Sequence, residues 1–321
     1  MGVEDPRRTA GGRIVCIGGA TVDCKYRLRG ALRMGTSNPV DGQRSFGGVA
    51  RNVAENLARL GVATGLLSIV GEDENGRALL EELAACGIDR GLMRVDAGRR
   101  TAEYSAILGP EGDLALGLAD MGVLDGFSVA DLDRNWPRLV ESGWVFTDCN
   151  PPAEMLAALI ARRRGAGFRL AVDTVSTPKA ARLPADLEGV DLLFVNRDEA
   201  AAYLAATGRA PGDDEAAALR DAGAARVVLT LGAEGVVVAD ESGTHRVAAV
   251  PANRVDATGA GDSMVAATLY RCLQGDTLVA AVRVGTLLAA LTIETPASVH
   301  PALSPAFLQA HMSRLGLEPV A

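Results

Sequence analysis

Short, largely apolar runs recur along this chain, and most are followed by a stretch with helical spacing. Residues 13–19, 144–148, 169–173, 191–196 and 225–231 read as strands apolar on both faces, which must be buried on both faces. Helical stretches follow at 49–61, 75–86, 153–164, 199–206, 264–273 and 275–294. In the first of these, Val49, Val53, Leu57 and Leu60 fall on one face, and Gly61 suits the C-terminal cap. Strands alternating with helices predict a mostly parallel sheet covered by helices on two sides. Residues 64–70 and 246–251 read as further strands. The alternation breaks once. Residues 101–108 and 114–119 flank Gly109-Pro110-Glu111-Gly112-Asp113, the pattern of a hairpin. With the mixed, glycine-containing segment 25–46 it predicts a small separate sheet.

The 321 residues carry a net charge of −8, which argues against a general nucleic-acid binder. No apolar run reaches the length of a membrane span. Residues 1–13 are polar and rich in Gly and Arg, so they read as a disordered tail and not as a secretory signal. Residues 209–214 read as a polar loop within one domain that extends over 14–315. The five cysteines show no CxxC spacing and the three histidines no metal-ligand spacing. Reduced thiols in a cytoplasmic protein are expected.

Polar residues gather where the strands end, the edge at which open α/β sheets bind ligands. Asp23 follows the first run, Asp148 and Asn150 another, and the cluster Asp173 to Lys179 a third. Asn196, Asp198 and Glu199 follow the next, and Thr230-Leu231-Gly232-Ala233-Glu234-Gly235 the last. Gly18-Gly19 leads into Ala20-Thr21-Val22-Asp23 and not into GxGxxG, so a dinucleotide fold is rejected. Gly47-Gly48 opens the first helix with room for a ligand, and Asn52 lies one turn in. Near the C-terminal end, Asp256-Ala257-Thr258-Gly259-Ala260-Gly261-Asp262 opens another. The first N–H groups of a helix lack internal partners and carry partial positive charge, so a glycine-led start accepts an anion. Asp262 there fits either of two roles: a helix cap, or a base for a hydroxyl that attacks a phosphoryl group.

Together these residues resemble the ribokinase-like (phosphofructokinase B-type) carbohydrate kinases over about residues 14–304. The resemblance rests on Gly47-Gly48-Val49-Ala50-Arg51-Asn52 and on the 256–262 turn, with the Asn196–Glu199 and Thr230–Gly235 motifs in order between them. It implies a three-layer α/β/α sandwich with a mostly parallel central sheet, and a small β-sheet lid formed from about 24–46 and 101–121. It implies ATP and Mg²⁺, with Asp262 as base and the backbone of Gly259, Ala260, Gly261 and Asp262 as anion hole. Asn196 and Glu199 would organise Mg²⁺ through water, and Thr230, Gly232 and Gly235 would line the nucleotide. Asp256 would hold a monovalent cation such as K⁺. Asp23, Gly47, Gly48, Asn52 and Asp148 would meet the sugar. Thr36-Ser37-Asn38-Pro39, Ala119-Asp120-Met121 and residues 173–180 further resemble the pseudouridine kinases. That likeness implies 5′-phosphorylation of a C-nucleoside, with Ser37, Asn38 and Lys179 near the base. Ribokinase, another sugar or nucleoside kinase, or a catalytically silent binding protein on the same fold are the alternatives. A homodimer is expected by analogy.

Overall fold

The computed structural model describes residues 12–209 and 214–316. The expected tail thus falls almost wholly outside the described residues, as do residues 210–213 of the expected loop. The first half runs β1 (Ile14–Ile17), β2 (Thr21–Leu28), β3 (Val40–Gly47), α1 (Val49–Arg59), β4 (Thr64–Leu67), β5 (Ile69–Gly71), α2 (Glu74–Ala85), β6 (Arg94–Asp96), β7 (Glu103–Leu108), β8 (Leu114–Asp120) and α3 (Val129–Val140). The second runs β9 (Trp144–Asp148), α4 (Ala153–Arg163), β10 (Arg169–Asp173), α5 (Thr177–Ala180), β11 (Leu192–Asn196), α6 (Arg197–Ala206), α7 (Glu215–Asp221) and β12 (Val227–Thr230). It closes with β13 (Val236–Asp240), β14 (Gly243–Val247), α8 (Ala260–Leu273), α9 (Leu278–Ile293) and α10 (Pro305–Ala310).

Eight strands form the main sheet in the order β14-β13-β12-β11-β10-β9-β1-β4. All pairings from β4 to β12 are parallel, and β13 and β14 add an antiparallel edge. Alternate residues of each strand enter opposite cores, because side chains alternate faces. Ile14, Cys16, Phe146 and Phe194 pack with α1, α2, α8 and α9. Val15, Ile17, Val145 and Val195 pack with α3, α4, α6 and α7. The result is the expected three-layer sandwich. A second sheet has four strands in the order β3-β2-β7-β8, with β2 and β7 parallel.

Several boundaries differ from expectation. Residues 64–70 form two strands, not one. Ser68 Oγ donates to Gly18 O (2.5 Å) and Ser68 O accepts from Arg94 N (2.9 Å), so the chain leaves the main sheet there and β5 pairs with β6. The strand expected at 246–251 ends at Val247, and Pro251, which has no N–H to donate, lies beyond it. The helix expected from 275 begins at Leu278, where the Thr277 side chain caps it. Unforeseen elements that complete the sandwich include α3, which carries Pro137 in its interior, α7 and the buried strand β13.

Candidate active site

The start of α8 is fixed by its neighbour. A Cβ on Gly285 of α9 would come within 2.5 Å of Thr268 Oγ1, so only glycine permits this close crossing. Thr292 Oγ1 donates to Ser263 Oγ (2.8 Å), and both residues are fully buried. The N-cap is Gly259, in left-handed conformation (φ 80°), with no side-chain capping bond. A Cβ there would meet Ser298 O at 1.9 Å, which makes glycine obligatory. The Ala260 N–H turns back onto Ala257 O (3.3 Å), a contact too long to hold it firmly. The N–H groups of Gly259, Gly261 and Asp262 bond no backbone carbonyl among the described residues. Around Gly261 there is open space for a side chain's width. Of the four expected anion-hole amides, those of Gly259, Gly261 and Asp262 are thus left without a backbone partner among the described residues.

Asp262 is not a cap. It lies in the first turn of α8, and its Oδ2 accepts from Asn52 Nδ2 of α1 (2.7 Å). Asn52 is itself buried and accepts from Arg51 Nη1 (3.0 Å) through Oδ1. Arg51 also donates to Phe46 O at the end of β3 and is ion-paired with Glu55, both charges being almost fully buried. Asn52 was expected to meet a sugar hydroxyl; here its amide donates to the Asp262 carboxylate. Burial pushes the Asp262 carboxyl up to about 6, and Asp148 and Asp23 push the same way, against the Asn52 bond and the Arg51 charge. A carboxylate in that range is poised to accept a proton near neutral pH.

Asp23 belongs to the small sheet, as the third residue of β2, and not to the end of a central strand. Its Oδ1 accepts from Thr21 Oγ1 (2.9 Å), and burial raises its pKa. The role of Gly47 is to leave room for it, since a Cβ there would lie 2.0 Å from Asp23 Oδ2. Gly48, at φ 96°, lets the start of α1 approach Gly19 O, where a Cβ would clash at 2.5 Å. Packing thus requires glycine at both positions.

Asp148, expected at the sugar, is fully buried and engaged. It accepts from Gly19 N (2.9 Å), Ala50 N (3.0 Å), Asn150 N (2.9 Å) and Asn150 Nδ2 (2.8 Å). These bonds tie the ends of β1 and β9 to the start of α1, so Asp148 is a brace. Lys179 Nζ donates to Asn150 Oδ1 (2.6 Å) and extends that brace, with burial lowering its pKa. Asn38 closes its own loop: Oδ1 accepts from Arg33 N (2.9 Å), and Nδ2 donates to Arg33 O (2.8 Å) and Thr36 O (3.1 Å). Ser37 beside it is exposed.

A cleft of about 190 Å³ joins Asp262 and Gly261 to Asp173, Asn196, Glu199 and Thr230. Asn196 caps α6 by accepting from Glu199 N (2.9 Å), while Glu199 Oε2 accepts from Asn196 N (3.0 Å) and Thr174 Oγ1 (2.6 Å). The spaced Asn and Glu are thus a capping box, and the carboxylate is locked in place at the cleft wall. Thr230 ends β12, in register with Asn196 on β11. Beyond it Gly232 opens onto free space, whereas Gly235 packs too near Val247 O (2.2 Å) for any Cβ. Asp173 was not singled out as a site residue. Burial, and then the charge of Asp262, push its pKa well above the ordinary range. Its place at the end of β10 was the available signal. The carboxylates of Glu199 and Asp173 with the amide of Asn196 are hard oxygen donors of the kind Mg²⁺ accepts.

Asp256 does not fit its expected role. Its Oδ1 accepts from Thr258 N (2.9 Å) and Thr258 Oγ1 (2.7 Å), and its Oδ2 accepts from Lys25 Nζ (2.6 Å). Partial burial pushes its pKa up, but the Lys25 and Thr258 donors hold it at about 2. Both carboxylate oxygens of Asp256 are thus already engaged, Oδ2 by an ammonium.

Residues 12–304 match a family model described as pfkB family carbohydrate kinase. The pseudouridine kinase of Escherichia coli (strain K12) is 31% identical over 256 residues, which is 79% of this chain and 81% of that protein. A solved carbohydrate kinase from Agrobacterium tumefaciens superposes with a TM-score of 0.84 at 31% identity, covering 96% of this chain and 98% of that one. The Arabidopsis thaliana ribokinase solved with ribose and ATP shares the fold, with a TM-score of 0.81 at 19% identity over 96% of this chain and all of that one.

Proposed function

Because the chain belongs to the pfkB family of carbohydrate kinases, as an ATP-dependent sugar or nucleoside kinase, we propose that it transfers the γ-phosphoryl group of ATP to the 5′-hydroxyl of pseudouridine. One observation carries the chemistry. A partly buried, hydrogen-bonded Asp262, poised at about 6, stands beside the N–H groups that open α8 without a backbone partner among the described residues. In this reading Asp262 takes the proton as the hydroxyl oxygen attacks the γ-phosphorus, and ADP leaves with the bridging oxygen. The amides of Gly261 and Asp262 bear the charge on the transferring group. Glu199 would hold Mg²⁺ through water, and the ion would offset the negative charge of the phosphates. Asp23 on β2 would orient the sugar.

The choice of pseudouridine rests on the similarity to the E. coli enzyme and on the stretches at 36–39, 119–121 and 173–180. The small sheet is read as a lid. For Asn38 and Lys179 to reach a base, each must exchange its present partner when ligand binds. The face of the small sheet opposite Asp23 exposes Tyr26, Leu116 and Leu118, an apolar surface that supports a homodimer. Light scattering at micromolar concentration checks this, and a monomer would refute it. The unpaired cysteine pattern supports a cytoplasmic location.

The deciding experiment is ADP release with pseudouridine, uridine, inosine, adenosine, ribose and fructose 6-phosphate. Mass spectrometry and phosphorus NMR then locate the new phosphate. Preference for pseudouridine with a 5′-phosphate product supports the reading. Preference for ribose refutes the substrate and leaves the kinase chemistry intact.

A further inference from the structure

The ion pair between Lys25 and Asp256 joins two parts of the molecule that are far apart in sequence. Lys25 stands on β2, two residues after Asp23, so both side chains leave the same face of the small sheet. Asp256 opens the turn that ends at Gly259, and its Oδ1 shapes that turn by accepting both Thr258 donors. The backbone of the turn is further held by Val255 N and Asp256 N, which both donate to Ile293 O (2.7 and 3.2 Å). A carboxylate at this point is needed for geometry, yet its charge opposes an incoming polyphosphate. A cation on Oδ2 removes that conflict, and Lys25 Nζ supplies it at 2.6 Å with both side chains partly buried. An ammonium is a compact point charge with three donors, close in character to a small monovalent ion.

We propose that Lys25 is a positioning residue of phosphoryl transfer, a tethered cation that holds Asp256 and the anion-hole turn in place of free K⁺. Turnover of this enzyme therefore needs no added monovalent metal. Because the lysine rides on β2, the turn is also set in the same movement that presents Asp23. The inference rests on the kinase chemistry but not on pseudouridine, since its assay uses whichever substrate the profile above prefers.

The test measures ADP directly by chromatography, with the full chain in tetramethylammonium buffer and again with KCl added. The natural enzyme should change by less than about twofold. Lys25→Met should lose about tenfold or more in kcat without K⁺ and regain most of it with KCl, because the ion then occupies the vacated carboxylate. Lys25→Arg, which keeps the charge, should retain more activity than Lys25→Met in K⁺-free buffer. A thermal melt checks that each variant is folded. Three results would overturn the proposal: a strong K⁺ requirement in the natural enzyme, full activity of Lys25→Met without K⁺, or a loss in folded Lys25→Met that KCl does not restore. The first needs no variant, so the proposal stays testable even if the substitutions unfold the chain.

Discussion

Asn52→Ala separates the two roles open to this residue, sugar ligand and holder of the base. The substitution removes the one side-chain donor among the described residues that bonds Asp262, the buried Asn52 amide at 2.7 Å. A hydrogen bond to a charged group contributes about 1.5–3 kcal/mol, and one pKa unit corresponds to about 1.4 kcal/mol. The bond stabilises the ionised carboxylate, so its loss should move the acid limb of kcat/KM upward by about one to two pH units. Starting from about 6, the limb would fall at about 7 to 8. At pH 7 the ionised fraction would drop from about nine-tenths to between about one-tenth and one-half. The variant should therefore lose about two- to tenfold at pH 7 relative to its own plateau, and regain that part near pH 9. The assay is ADP release from pH 5 to 9 at subsaturating substrate, where the profile reports the free enzyme. A lower plateau with an unmoved limb would refute the reasoning. It would mean that Asn52 binds substrate but does not tune the base.

Three further outcomes follow from the same geometry. Gly261→Ala should fold with an unchanged melting temperature, because a Cβ there meets nothing, yet lose activity by about 100-fold by filling the anion hole; Gly259→Ala should lose fold stability as well, since its Cβ collides with Ser298 O. Full activity of Gly261→Ala would move the anion hole elsewhere. Asp262→Asn should abolish most turnover but raise the melting temperature at pH 8 by a few degrees, from about 1–3 kcal/mol of relieved charge burial. The folded carboxyl, at about 6, lies above its ordinary 3.8, so ionisation destabilises the fold above pH 6. That penalty fades as pH falls from 6 towards 4, and the advantage of the variant should fade with it. A gap that widens on acidification in melts at pH 4.5 and 8 would contradict the sign.

Much of the sandwich was legible because the central strands are apolar on both faces, and a run such as Trp144 to Asp148 admits few other readings. Elements that break a local rule were not. Pro137 removes a donor from the middle of α3, and helix packing tolerates it. The 64–70 run reads as one strand, and its split at Ser68 depends on Gly18 and Arg94, which are distant in sequence. Within the site, Asp262, Asn196, Glu199 and Thr230 were visible as polar residues at strand and helix ends, and they share one cleft. Asp148 and Lys179 looked identical to them by that rule, yet both are bound into a buried brace.

The sequence by itself determined which residues can form strands, where glycine-led helices begin, and that a carboxylate stands at one of them. Those properties are local: they depend on periodicity, caps and the missing Cβ. Only the tertiary structure decided what each polar group is paired with. The Asp262 carboxyl is pushed up to about 6 because burial and the nearby Asp148 and Asp23 act against the bond from Asn52, 210 residues away. Asp256 is filled by Lys25 because β2 carries the ammonium to it across 231 residues. Hydrogen bonds and charges act over a few ångströms in space, whatever the distance along the chain, so the roles of these carboxylates exist only once the sheets have assembled.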